Sequence, residues 1–200
     1  MSKKLQEYLK RKFKKVDGFG MVGHLKITET VSGRVVFDRH NLIVDEGKGF
    51  VMDLLASLGV NYDYTPQPFN GIVLTKNTSA ENAGDTFEQS VFSDSLNQIS
   101  DEGVLHVAGG GGGQVAITHV KGSLNINISG TIAQQYGNDP TNNHINSVCL
   151  CSGLNNSYGG PGQGAYVKTE NERVFSRVHV GDLVKTSDKS FNFQWLITIQ

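Results

Sequence analysis

Along most of this chain, apolar and polar residues alternate with the two-residue period of half-buried strands. Only two stretches carry the three- and four-residue spacing of a helix. His24-Leu25-Lys26-Ile27-Thr28 alternates, Ser32-Gly33 reads as a hairpin turn, and Arg34-Val35-Val36-Phe37 reads as the returning strand. Gly71-Ile72-Val73-Leu74 and Ile145 to Cys151 are compact apolar runs. Leu124, Ile126 and Ile128 alternate with Asn125, Asn127 and Ser129, and a further strand is expected over Arg173 to Val180. The last strand, Phe191 to Ile199, puts Phe191, Phe193, Trp195, Ile197 and Ile199 on one face, so the chain is expected to end inside a sheet.

The first helical stretch spans residues 2–16, where Leu5, Tyr8, Leu9, Phe13 and Val16 recur on one side and cations take the other positions. A helix of about 15 residues is marginal alone in water, so its stripe needs a surface to cover, on its own body or on a partner. Asp17-Gly18-Phe19-Gly20 ends it. The second runs from about Glu46 to Leu58, with Phe50, Val51, Leu54, Leu55 and Leu58 on one face and Gly59 placed to stop it. Many short strands around one internal helix imply an all-β fold, specifically an antiparallel β-sandwich of jelly-roll type. The organisation expected is a basic helical arm with a glycine hinge over residues 1–20, followed by the body over 21–200. Residues 76–103, 106–114, 134–144 and 153–172 read as long connections, which in compact domains usually carry function.

Composition agrees with a turn-rich β protein. Apolar residues make up 38% and charged residues only 18%, with Asn, Ser, Thr and Gly filling the deficit. The net charge of −1 hides an asymmetry. Lys3, Lys4, Lys10, Arg11, Lys12, Lys14 and Lys15 face a single acid, Glu7, within residues 1–16; this leaves 11 basic against 18 acidic residues, a net of −7, on the rest of the chain. A basic arm on an acidic body suits docking onto a neighbouring copy or an acidic partner, with Lys3, Lys4, Leu5, Tyr8, Leu9, Lys10, Arg11, Lys12 and Phe13 as the contact residues. Nucleic acid is not expected as that partner, because these cations lack interleaved loop aromatics or a base-reading motif. No apolar run approaches the roughly 18 residues that span a bilayer, and the N-terminus lacks a signal-type apolar segment, so a soluble chain made in the cytosol is expected, with no membrane partner.

Reactive chemistry has little to stand on. Gly18-Phe19-Gly20-Met21-Val22-Gly23 matches Gly-x-Gly-x-x-Gly, but it follows a helix and precedes a strand, the reverse of a dinucleotide-binding turn, and reads as a hinge. The tract Gly109 to Gly113 continues into Gln114-Val115 with no Lys-Ser/Thr for phosphates, so it reads as a loop tip or a tight contact between subunits. His24, His40, His106, His119, His144 and His179 never stand at metal-ligand spacing. Cys149 and Cys151, the only cysteines, would share one face of a strand as buried, reduced thiols. There is no Gly-x-Ser-x-Gly elbow. Asp94, Asp101, Glu102 and Asp182 are carboxylates that a fold could pair for glycoside hydrolysis, yet scattered acids on an acidic body usually serve as solvated charges. No catalytic residue, metal or cofactor is therefore expected.

One series of residues is distinctive. Asn41-Leu42-Ile43-Val44-Asp45-Glu46-Gly47 leads into the second helix, followed by Asn70-Gly71-Ile72-Val73-Leu74, Ile145-Asn146-Ser147-Val148-Cys149-Leu150, Arg173-Val174-Phe175-Ser176-Arg177-Val178, Lys185-Thr186 and Phe193-Gln194-Trp195-Leu196-Ile197-Thr198-Ile199. This series resembles a widespread group of bacteriophage virion proteins of tail-fibre, collar, baseplate or head-decoration type, over residues 41–199. The resemblance implies a non-enzymatic β-sandwich subunit in a symmetric homo-oligomer, a ring or trimer, located in the virion beside portal, tail or capsid subunits. The glycine tract, the stretch 153–172 and the basic arm depart from it. A different reading is a carbohydrate-binding module for host-surface glycans, using loop tyrosines among Tyr62, Tyr64, Tyr136, Tyr158 and Tyr166, with Tyr158 and Tyr166 as the glycan contacts. From the arm's charge and stripe, removal of residues 1–16 should leave the body folded, by circular dichroism, while abolishing incorporation into particles. Normal incorporation of the truncated chain would refute the docking role.

Overall fold

The computed structural model describes residues 20–57, 69–87, 103–107, 113–154 and 172–199. In chain order these form β1 (Met21–Glu29), β2 (Arg34–Ile43), α1 (Asp45–Ser57), β3 (Phe69–Thr75), β4 (Val104–His106), β5 (Gly113–His119), β6 (Asn125–Ile132), β7 (His144–Ser152), β8 (Arg173–Val184) and β9 (Phe191–Ile199). The strands close into a barrel in the order β1-β2-β8-β7-β3-β4-β5-β6-β9, with β9 pairing back onto β1. Every pairing is antiparallel except that of β4 with β5.

The all-β expectation stands, but the sandwich does not: the two sheets are joined along both margins into one closed wall. Both joints are short. On one side β2 meets β8 through only Leu42 with Arg177 and Ile43 with Ser176. On the other, β4 meets β5 through Leu105 with Gly113 and His106 with Gln114. A two-residue alternation tells inward from outward positions and carries no information about whether sheet margins pair, which is why these joints left no trace in the pattern. β4 spans three residues, too few to show a period, and β5 begins inside the glycine tract. Gly113 is required there, since a Cβ would collide with the Thr131 carbonyl of β6. That part of the tract makes a contact within one chain; residues 109–112, like Leu58 and Gly59, lie outside the described residues.

The interior is filled by Leu25 and Ile27 of β1, Ile72 and Leu74 of β3, Leu105 of β4, Ile128 and Ile132 of β6, Val148 and Leu150 of β7, and Phe193, Trp195 and Ile197 of β9. The Trp195 indole N–H donates to Asn41 Oδ1 at 3.0 Å, the Asn41 amide donates to Ser176 Oγ, and Ser176 Oγ donates to the Leu42 carbonyl at 2.5 Å. This chain of bonds satisfies the buried indole and runs across the β2–β8 joint. Gly23, across from Asn41 on β1, leaves room for the Asn41 side chain. Further along the same margin, side chains replace the missing backbone pairs. Arg39 donates to the His179 carbonyl at 2.8 Å and pairs with Glu81, which accepts from the His179 N–H at 2.7 Å.

Both ends of the barrel are plugged. α1 leaves β2 at the end where β1 begins, with Phe50 buried and ring contacts running from Phe50 to Phe69 (5.3 Å) and from Phe69 to Phe175 (4.6 Å). The expected helix therefore forms, with Asp45 and Glu46 in its first turn, where the helix dipole favours acids. Glu46 Oε2 also accepts the backbone N–H groups of Phe87 (3.0 Å) and Val174 (2.8 Å). At the other end Tyr136 packs against the core, and the fully buried Lys185 donates to the carbonyls of Gln134 (3.1 Å) and Thr186 (3.1 Å) and to Asn138 Oδ1 (2.9 Å).

One wall carries a second layer. Residues 76–87 lie over β7 and β8, and a second apolar cluster forms from Val44, Val73, Phe87, Val104, Cys149, Cys151, Leu154 and Val174. Arg177, only 2% exposed, holds this layer down through Asp85 (2.9 Å), Asn77 Oδ1 (2.9 Å) and the Ser79 carbonyl (2.6 Å). Replacing Arg177 with Met leaves the Asp85 carboxylate without its counter-charge beneath that layer. Chemical denaturation should show a loss of about 3–5 kcal/mol, and the double change Arg177→Met/Asp85→Leu should recover much of it. Equal stabilities for the single and double variants would contradict this account.

Candidate functional site

Opposite the covered wall, the outward side chains of β1, β9 and β6 are partly or fully open to solvent. Because Leu25, Ile27, Phe193, Trp195 and Ile128 point inward, the intervening residues must point out. Strand register arranges them in rows. His24 stands beside His40 on β2 and Leu196 on β9, and Leu196 beside Asn127 on β6. In the next row Lys26 stands beside Asp38 and Gln194, and Gln194 beside Ser129. His24, Lys26, Asn127, Ser129, Gln194 and Leu196 line a groove of about 350 Å³, floored by the backbone of Ile128 and Trp195.

A cross-strand pair of polar side chains bounds this groove on each side. Asn192 Nδ2 donates to Thr131 Oγ1 at 2.7 Å on one side, and Thr198 Oγ1 donates to Asn125 Oδ1 at 2.8 Å on the other. At the groove's margin His24 Nε2 pairs with Asp38 Oδ1 at 2.7 Å and its ring lies 5.1 Å from that of His40. Asp38 thus turns to the histidine. The Lys26 ammonium, the amides of Gln194 and Asn127 and the Ser129 hydroxyl make no side-chain hydrogen bond or ion pair with any described residue.

This geometry suits binding better than bond-making. Ser129 lies two strands from His24, roughly 10 Å at the usual strand spacing, too far for the imidazole to take its proton. Among the described residues no group of three or more His, Cys, Asp or Glu side chains is arranged to hold a metal ion, and no helix is long and apolar enough to cross a membrane.

The arm residues Lys3, Lys4, Leu5, Tyr8, Leu9, Lys10, Arg11, Lys12 and Phe13 lie outside the described residues, as do Tyr62, Tyr64, Tyr158, Tyr166, Asp94, Asp101 and Glu102. Tyr136 is partly buried and packs against the core. Asp182 pairs with His144 Nδ1 at 2.7 Å. Met21 to Gly23 of the glycine motif belong to β1, so that part is strand and not hinge. The groove itself was missed, although a signal existed. The Ser32-Gly33 turn read from the sequence puts His24 and His40 on paired strands, but the register that sets them side by side depends on an irregularity between Ile27 and Thr28 that the sequence does not show.

Of the histidines, His106 is buried, and that burial holds its imidazole below the ordinary value. Cys149 and Cys151 are free, fully buried and in the same outer cluster. Burial pushes the Cys149 thiol up to about 12, with Arg177 opposing only in part, and it raises Cys151 well above its usual value. No family model matches the chain, and searches of curated proteins and of solved structures return no match.

Thiolate character is what nucleophiles and metal ligands need, so these sulfurs are inert in the folded state. A raised native pKa contributes stability that is complete below the unfolded value of 9.0 and is lost as pH rises toward about 12. Both thiols should resist a thiolate-specific disulfide reagent at mildly alkaline pH and react promptly once the chain is unfolded in denaturant. Rapid reaction of the native protein would show that the outer layer opens readily.

Proposed function

We propose that this chain is a non-enzymatic structural subunit of a bacteriophage virion, of the tail, neck or collar, fibre-attachment or baseplate kind, that builds a symmetric assembly with copies of itself. A head-decoration position is the alternative within the same class. The observation that carries this reading is the use to which the chain puts the residues of the resemblance. Asn41 and Trp195 bond across the barrel interior, Glu46 and Arg177 fasten the outer layer, and Lys185 locks one plugged end. A sequence series devoted to closing and plugging a barrel belongs to a scaffold, and fold alone assigns no chemistry. The open wall described above offers the scaffold a polar face.

Virion placement is read directly by labelling. Gold-conjugated antibody raised against the folded chain, applied to purified particles of the phage or prophage that encodes it, should decorate one regular position. Light scattering on the purified chain should give a defined oligomer. Absence of the chain from purified particles by mass spectrometry would overturn the proposal.

A further inference from the structure

We propose that the groove across β1, β9 and β6 is a binding site for an acidic saccharide, a sugar chain bearing a carboxylate such as a uronic acid or a sialic acid. On each side of this groove a cross-strand pair of polar side chains bonds to itself, Asn192 with Thr131 and Thr198 with Asn125. Within it, four polar side chains on three strands stay unpaired and face one concave space. Their chemistry is specific. The amides of Gln194 and Asn127 each present a donor and an acceptor side by side, the arrangement that pairs with adjacent hydroxyls, and Ser129 adds a rotatable hydroxyl.

Charge selects among sugars. Lys26 has Asp38 as its cross-strand neighbour, yet Asp38 Oδ1 turns to His24 at 2.7 Å and no ion pair joins the carboxylate to the Lys26 ammonium, which can meet an anionic ligand. Leu196, half-buried between Asn127 and His24 in its row and two residues from Gln194 on the same strand, supplies an apolar patch for the C–H face of a ring. A volume of about 350 Å³ lies at the low end for small-molecule sites, which fits one or two sugar units and not a folded partner.

The test is an NMR titration of the isolated, full-length chain with tetragalacturonate, sialyllactose and, as neutral probe, maltotetraose. The acidic probes should shift amides of residues 24–26, 127–129 and 194–196, weaken with added salt, and bind at least about tenfold more tightly than the neutral one. Lys26→Met, which keeps the aliphatic stem, should lose that preference, while Lys121→Met on the exposed turn between β5 and β6 should keep it. Asp38→Asn, removing the anion across the strand from Lys26, should bind the acidic probes more tightly. Thermal melts of each variant report whether the barrel is intact.

Three outcomes overturn the proposal: no groove shifts at millimolar probe, equal binding of acidic and neutral probes, or groove shifts that appear with protein concentration alone, which would assign the face to a second copy. Because binding is read on the isolated chain and virion placement on particles, either can fail without the other.

Discussion

Closure of the barrel rests on the joint between β2 and β8. Only two residue pairs join these long strands through their backbones, and the remainder of that margin is held by side chains: Asn41 to Ser176, Trp195 to Asn41, and Arg39 with Glu81 to both backbone groups of His179. Without them, β2 and β8 would expose unpaired edges and the interior would open to water. The open wall, the plugged ends and the outer layer all presuppose this margin. It also explains why Asn41 stands where an apolar residue would otherwise face the core: an amide there bonds an indole on one side and a hydroxyl on the other.

The two walls reflect different solutions to one problem. β3, β7 and β8 present apolar residues and a guanidinium on their outer face, so they need a second layer, and Asp85, Asn77 and Glu46 tie it on. β1, β9 and β6 present amides, hydroxyls and charges and need no cover. The same alternation that fills the core thus decides which outer face is free to meet another molecule. The sulfurs of Cys149 and Cys151 sit on the covered side, which explains why the chain tolerates two neighbouring thiols without a disulfide.

Much of the strand pattern was legible because burial imposes a two-residue period. The β9 strand was read at its observed bounds, and β1, β3, β6, β7 and β8 were each located, since Phe193, Leu25, Ile72, Ile128, Val148 and Phe175 mark inward positions. β4 and β5 were lost to shortness and to a glycine tract that reads as loop, and with them went the information that the sheets join. The site was legible only in part. Each groove residue is an ordinary polar residue in its own strand, and what distinguishes Lys26, Gln194, Asn127 and Ser129 is the company that register gives them. Asn127 and Gln194 lie far apart in sequence, and only the pairing of β6 with β9 makes Asn127 a neighbour of Leu196 and Gln194 of Ser129.

Trp195 is the single tryptophan of the chain. Its indole is buried beside one of the two short joints of the barrel, with its N–H bound to Asn41, while its backbone lies under the groove on the other side of the wall. Its fluorescence is therefore a built-in optical gauge. A red-shifted emission signals water entering at the β2–β8 margin, without any attached dye and without interference from a second emitter of its kind.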